Sequence, residues 1–448
     1  MPEATVASTW QRPFAAPESI PERADVVIIG GGIVGASTAW FLARQGVQVV
    51  LCEKGHIAGE QSGRNWGWVR VQGRDEREIP MMIEAFRTWD SFSEETGEDV
   101  GFERRGCLFA ARTEKEMDAF ANWVDVAGRF GIESRLVSPD EIKAFAPGAR
   151  VAWKGGVITE SDGRAEPQKA APAFARAATR AGATILTSCA VRGLETEGGS
   201  VSAVVTEHGT IRTSTVLCAA GAWSSLFCRS LGIALPQLKV QGTVVRTAPC
   251  EGVLEGNLFD SRVGIRRRRD GGYSVAHGAV LHHSLTPATF RWSFKFLPAL
   301  MKELKVLRLS FGKAFFEDWE RERGWKLDGV SPFETTRVLD PQPNPRVVRG
   351  IRKHLDAVIP RLANTEIVES WAGMVETTPD VVPVIDAVPQ LPGFHLATGF
   401  SGHGFGLGPG AGKAAAGLLT GTDSGIDIAP LRLSRFFDGS PIRMLSGI

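Results

Sequence analysis

Paired cysteines are missing from this sequence. Its six (Cys52, Cys107, Cys189, Cys218, Cys228 and Cys250) are scattered. They have neither the close spacing of a zinc site nor the density of a disulfide framework, so no metal is expected. Such usage belongs to a reducing cytoplasm. A long apolar run is missing too. No stretch reaches the roughly 20 apolar residues of a membrane span. Residues 1–23 have neither the basic start nor the apolar run of a signal peptide and read as a loose N-terminal arm. Charge of one sign is also absent. The 51 Lys and Arg against 50 Asp and Glu leave a formal net charge of +1, which argues against a nucleic-acid partner. The nearest approach to an apolar run, "FRWSFKFLPALMKELKVLRLSFGKAFF" (290–316), is broken by charges and by Pro298. It predicts a helix pair covering an active site, with weak membrane contact as the alternative, since an interfacial helix needs cleaner faces.

Glycine, by contrast, is plentiful, and it concentrates in two places. "ADVVIIGGGIVGASTAWFLARQGVQVVLCEK" (24–54) reads as strand, tight turn, helix, strand. Gly30 makes the turn, Gly32 lets a pyrophosphate approach the backbone, and Gly35 lets helix pack on strand. Ile33 and Val34 open the helix, whose free N–H groups and dipole favour phosphate. Glu53 closes the second strand at the distance where an acid takes ribose hydroxyls, with Lys54 beside it.

The second place is "GFSGHGFGLGPGAG" (399–412), which follows a strand and runs into "KAAAGLLTG". With Phe400, Phe405 and Leu407 it is too apolar for a linker. A glycine loop before a helix predicts that something large and flat lies against the backbone. Two strand–glycine–helix units on one sheet suit FAD better than a nicotinamide cofactor, the first holding the ADP half and the second the flavin.

The remaining pattern predicts a Gly-punctuated loop over 55–75, a helix over 76–97, a strand over 102–111 and helices over 114–130 and 139–146. A helix runs into a strand over 166–191, and short strands fill 199–225. At 448 residues the chain exceeds the roughly 250–300 at which a single core stops growing. The expected fold is α/β. A discontinuous Rossmann-like FAD-binding domain (24–98, 150–235 and 366–430) is interleaved with a mixed, largely antiparallel substrate domain (99–149 and 236–365), and 431–448 form a tail.

The order "DVVIIGGGIVG…E", "SGRNWGW", "VLCAAGAWSSL", "WAGMVETTPDVVPVID" and "LATGFSGHGFGLGPGAG" resembles the D-amino acid oxidase, glycine oxidase and sarcosine oxidase superfamily of FAD enzymes, over about 24–421. Within it, "EKGHIAGEQSGR", "GAWSSLF" and "WKLDGVSPFE" resemble bacterial L-amino acid deaminases of the Proteus type. Those begin with a membrane-anchoring helix that this sequence lacks, which leaves the electron acceptor open between O2 and a membrane component. The resemblance implies flavin contacts from Gln61, Ser62, Gly63, Arg64, Asn65, Gly67 and Trp68. Val191, Ala220, Gly221, Trp223 and Gly373 join them, as do Gly399, Gly404, Phe405 and Gly406 of the second glycine tract. Relatives that attach flavin covalently use a cysteine in the C-terminal half or a histidine after the second strand. No cysteine follows Cys250 and His56 lies early, so FAD is expected to be non-covalent.

Oxidising an amine with flavin leaves orientation and electrostatics to the protein, and a substrate carboxylate needs a fixed cation. In "GIRRRRDGGYSVAHG" (264–278) the "DGG" turn predicts a hairpin in which Arg266 and Arg268 share one face. By resemblance Arg266 is the carboxylate anchor. The arginine of the "W-x-G-x-R" motif in other relatives is replaced by Val375, and the tyrosine clamp of eukaryotic D-amino acid oxidases finds only Tyr273. Both absences point away from D-specific members. His403 stands where the deaminases place a pocket tryptophan and is expected to touch substrate and tune amine protonation. Ser401, Gly402, His277 and Gln241 complete the expected substrate side. The implied activity is oxidation of an α-amino acid, L-form preferred, to an imino acid that hydrolyses to keto acid and ammonia. A D-amino acid, a secondary amine and a non-catalytic electron-carrier subunit are the alternatives. A cytoplasmic location is expected, with peripheral docking to the inner membrane and a homodimer left open.

Overall fold

The computed structural model of the protein describes residue 14 and residues 19–278, 280–303 and 306–444. Most of the expected arm, residues 1–23, lies outside the described residues, as do 445–448 of the expected tail.

One sheet has six strands in the order Val384–Ala387, Phe394–Thr398, Val216–Cys218, Val26–Ile29, Val49–Cys52, Thr184–Leu186. All neighbours are parallel except the first pair. "VVII" and "VVLC" are buried throughout, the continuous apolar run of a parallel strand covered on both faces. Val26–Ile29 and Phe394–Thr398 flank one shared neighbour and point the same way. Their glycine-rich turns therefore emerge together at the carboxyl end of the sheet, where open α/β sheets bind ligands.

The glycine tract itself departs from expectation. It is a loop only as far as His403, and Gly404–Thr420 is helical. A Cβ on Gly408 would lie 2.7 Å from Ile33 Cγ2, one on Gly410 would strike the Met81 carbonyl oxygen, and one on Gly412 would strike Ser37. The Ser37 hydroxyl donates to the Gly408 carbonyl at 2.9 Å. What lies against most of this tract is thus protein. Glycine lets the C-terminal helix meet Ile33–Ala43 and Ile79–Thr96 at backbone distance.

The second sheet has ten strands and is mixed. Its path runs Leu307–Ser310, Leu281–Ser284, Leu238–Thr247, Tyr273–His277, Val263–Arg267, Asn257–Asp260, Cys107–Ala111, Gly155–Thr159, Ser134–Val137, with Ile367–Thr377 also paired to Leu238–Thr247. The predicted arginine hairpin is present as Val263–Arg267 against Tyr273–His277.

Three local expectations change. The 55–75 loop contains a one-turn helix, Gln61–Arg64, and a short strand, Trp68–Val69. The 102–111 strand is split into Glu103–Arg104 and Cys107–Ala111. The 290–316 helix pair is instead Ser293–Glu303, a strand Leu307–Ser310 paired with Leu281–Ser284, and a helix Lys313–Arg321. No helix among the described residues is long and apolar enough to cross a membrane.

Candidate functional site

A cavity of about 810 Å3 opens between the two sheets and is lined from both. Its wall on the six-stranded side is the first glycine turn. Gly30 adopts φ +111°, and a Cβ there would lie 2.5 Å from the Ala219 carbonyl oxygen, so only glycine fits. Gly32, Ile33, Val34 and Glu53 line the same wall. Glu53 is held in place by backbone, its two oxygens accepting from the N–H groups of Gly31 and Gly55 at 2.7 Å. Burial raises its carboxyl above the usual value, against those two bonds.

The loop predicted to lie under the flavin is tied across the start of the first helix. Ser62 Oγ accepts from the Ile33 N–H at 2.9 Å. Asn65 donates its side-chain amide to the Gln61 and Ser62 carbonyls. Arg64 pairs with Asp340 and donates to the Ala372 carbonyl. Lys54 is spent on Glu60 and on the carbonyls of Thr336 and Arg337, and Trp223 Nε1 donates to the same Glu60. All of these side chains except that of Asp340 line the cavity or carry its wall, as do Trp68, Val191, Ala220, Gly221, Gly373, Gly404 and Phe405.

Five expected contact glycines do not line it. Gly35 and Gly63 pack on the carbonyls of Gly30 and Ala58, Gly67 on Arg266, and Gly399 on Thr378. Gly406 gives its carbonyl to Trp89 Nε1 at 2.9 Å. They shape the wall from behind.

Glu376 is a cavity residue absent from the sequence expectations. Its Oε1 accepts from the Phe400 N–H at 3.3 Å, while its buried Oε2 has no partner and faces Gly221. Burial pushes the carboxyl up to about 7. The long cavity with its Gly30 turn fits a dinucleotide, and the buried Glu376 carboxyl beside Gly221 offers an acceptor to a polar group there.

Of the residues expected to touch substrate, His277, Ser401, Gly402 and His403 line the cavity. Ser401 holds the left-handed φ of 53°. Gln241 does not reach the cavity wall and donates to the Gln342 carbonyl. Arg266 requires a correction. It is buried in an ion pair with Glu166 and hydrogen-bonds Ser274 and the Ala165 carbonyl, behind the cavity wall.

Besides Lys54 and Arg64, which are spent on Glu60 and Asp340, the cations that line the cavity are Arg70 and Arg74. Arg74 is 5% exposed; its Nε donates to the Arg70 carbonyl and its buried Nη1 has no partner. Burial, then Arg70, lowers its pKa to about 9. Arg70 lies over the Phe109 ring. Beside them His403 Nδ1 is 3.0 Å from both oxygens of the fully buried Glu78. Burial, followed by Arg74, lowers the His403 pKa against the pull of Glu78. The signal for this group was in the sequence as "VRVQGRDERE", charge set densely between apolar Trp68 and Ile79.

Residues 25–418 match the family described as FAD dependent oxidoreductase (DAO). The chain is similar in structure to the L-amino acid deaminase from Proteus myxofaciens solved in complex with anthranilate, with 33% identity and a TM-score of 0.91 over 94% of this chain and 96% of that one. It is 26% identical to mitochondrial sarcosine dehydrogenase of Mus musculus over 89% of its own length, but spans only 40% of that protein. It is 25% identical to sarcosine oxidase subunit beta of Rhodobacter capsulatus, covering 96% of this chain and 93% of the relative. A glycine turn closed to any side chain, a half-buried acid at the end of the second strand and a cavity spanning two sheets agree with that match, and the chain belongs to the DAO family of FAD dependent oxidoreductases.

Proposed function

We propose that the protein oxidises an α-amino acid, L-form preferred, to the imino acid, which water hydrolyses to keto acid and ammonia. The observation that carries this reading is the buried, unpartnered Nη1 of Arg74 in the cavity beside His403. A guanidinium fork binds both oxygens of a carboxylate, and burial strengthens the attraction. Arg74, with Arg70, is the carboxylate anchor in place of Arg266.

Glu78 accepts the Nδ1 proton of His403 and so leaves Nε2 as an acceptor. With its pKa lowered, His403 is neutral near pH 7 and takes a proton from the substrate ammonium, freeing the nitrogen lone pair. FAD, held without a covalent link by the Gly30 turn, Glu53 and the 61–65 loop, supplies when bound the hydride acceptor for the Cα hydrogen.

The L-preference rests on the similarity to the Proteus deaminase. Sarcosine-type relatives support an N-methyl amino acid equally, since it carries the same carboxylate beside a secondary amine that also loses a proton before oxidation. The reoxidant is O2 or a membrane electron carrier, and the apolar face around Phe294, Phe311 and Trp319, all strongly exposed, is where docking to a membrane would take place. The test is an anaerobic visible spectrum with L-, D- and N-methyl amino acids in turn. Bleaching by L-forms alone supports the first reading, and bleaching by N-methyl forms alone supports the second. No bleaching by any overturns both and leaves an electron-carrier subunit.

A further inference from the structure

We propose that a cleft on the far side of the ten-stranded sheet is a second binding site, for a small oxyanion of the phosphate or carboxylate type. The cleft, about 240 Å3, is lined by Arg112, Arg150, Arg262 and His354 over a floor of Val151 and Val358. These residues come from four separate places in the chain. Arg112 follows the strand Cys107–Ala111, Arg150 precedes Trp153 in a loop, Arg262 lies in the turn before Val263–Arg267, and His354 is on the helix Pro345–Val358.

One acid serves this group, and it is fully used. Asp260 Oδ1 accepts from the backbone N–H groups of Arg262 and Val263, and Oδ2 accepts from Arg112 at 2.5 Å and Trp153 Nε1 at 3.2 Å. Among the described residues, neither the Arg150 nor the Arg262 guanidinium has a carboxylate partner. Two polar atoms at the cleft, Arg112 Nε and His354 Nδ1, are buried with no hydrogen-bond partner. Buried polar atoms without partners are uncommon, and an oxyanion supplies acceptors for Arg112 Nε–H, the two free guanidinium groups and a ring N–H of His354 at once. The local field is positive. After burial, Arg262 is the largest influence lowering the His354 pKa, and Lys353 and Arg112 act the same way against Asp260.

The site is separated from the substrate cavity by one pair of rings. His354 stands edge-on to His277 at 4.9 Å between centroids, and His277 lines the large cavity. An anion on His354 therefore acts on a wall residue of the flavin site without entering it.

The test needs no turnover and is independent of the proposed reaction. Calorimetric titration of the FAD-loaded protein with inorganic phosphate, and separately with malonate, is run at constant ionic strength set by chloride. The expected result is saturable binding of at least one of the two, weakened tenfold or more in Arg150→Gln/Arg262→Gln. Both substituted side chains are exposed, so the variant is expected to keep the parent melting temperature without anion. Phosphate alone binding assigns a phosphate site, and malonate alone a carboxylate site. Absence of saturable binding for both, or equal binding in the double variant, overturns the proposal. A second variant, His354→Gln, is expected to weaken binding and to remove any anion-induced change in the visible flavin spectrum.

Discussion

Arg266 and Glu166 hold each other through two bonds, Nη1 to Oε1 at 3.0 Å and Nη2 to Oε2 at 3.3 Å, with side chains 1% and 8% exposed. Burial alone pushes the Glu166 carboxyl up, but Arg266 outweighs it and holds the group below the usual carboxylate range. Arg266→Ala leaves that carboxylate buried and unpaired, a loss of roughly 3–5 kcal/mol. The expected outcome is a much lower urea midpoint with an unchanged KM in the folded fraction. A large rise in KM at unchanged stability would return the carboxylate role to Arg266.

Arg74→Gln should behave in the opposite way. It removes a charged hydrogen bond to substrate, about 1.5–3 kcal/mol, so KM for a carboxylate substrate rises on the order of ten- to a hundredfold. It also removes a buried cation that lacks a full set of partners, so the melting temperature of the free protein holds or rises. FAD content stays at the parent level. A fall in stability with unchanged KM would sink the anchor assignment.

Glu376 makes stability depend on pH in a defined direction. Its folded-state pKa of about 7 lies above the ordinary value of 4.5, so between the two the folded state holds a proton that the unfolded state releases. The contribution is full below 4.5 and is lost as pH rises through about 7. Glu376→Gln keeps the shape without the titration. Comparing parent and variant by urea unfolding from pH 5 to 8, the difference should grow with pH in favour of the variant; parallel curves would refute it.

Gly410→Ala should destabilise without touching the chemistry. The new methyl meets the Met81 carbonyl and forces apart two helices, at a cost of about 1–3 kcal/mol. Thermal unfolding reads the loss. Flavin affinity should be unchanged, since Gly410 does not line the cavity.

The apolar face tests the membrane reading. Replacing Phe294, Phe311 and Trp319 by serine should abolish co-sedimentation with phospholipid vesicles while leaving anaerobic bleaching by substrate intact. Equal sedimentation of parent and variant would remove this face from the electron path.

Legibility followed the range of the interactions. The strand–turn–helix of 24–54 could be read because each requirement is local, from the buried apolar run to the glycine at the one turn where a side chain collides. The same holds for the arginine hairpin, where "DGG" sets the turn and alternation sets the faces. The second glycine tract was read as a ligand cradle because spacing cannot tell a flavin from a neighbouring helix. Gly410 meets Met81, more than three hundred positions away in the chain.

What the sequence determined by itself was therefore the cofactor class, the α/β architecture and the family, all carried by short motifs whose physics closes within a few dozen residues. Which arginine faces the cavity was decided only in three dimensions. On paper only Arg266 is the candidate, but Glu166, a hundred residues before it, meets its guanidinium, while among the described residues no acid answers Arg74 Nη1. Pairing between distant side chains depends on the register of whole sheets, and no local pattern encodes it.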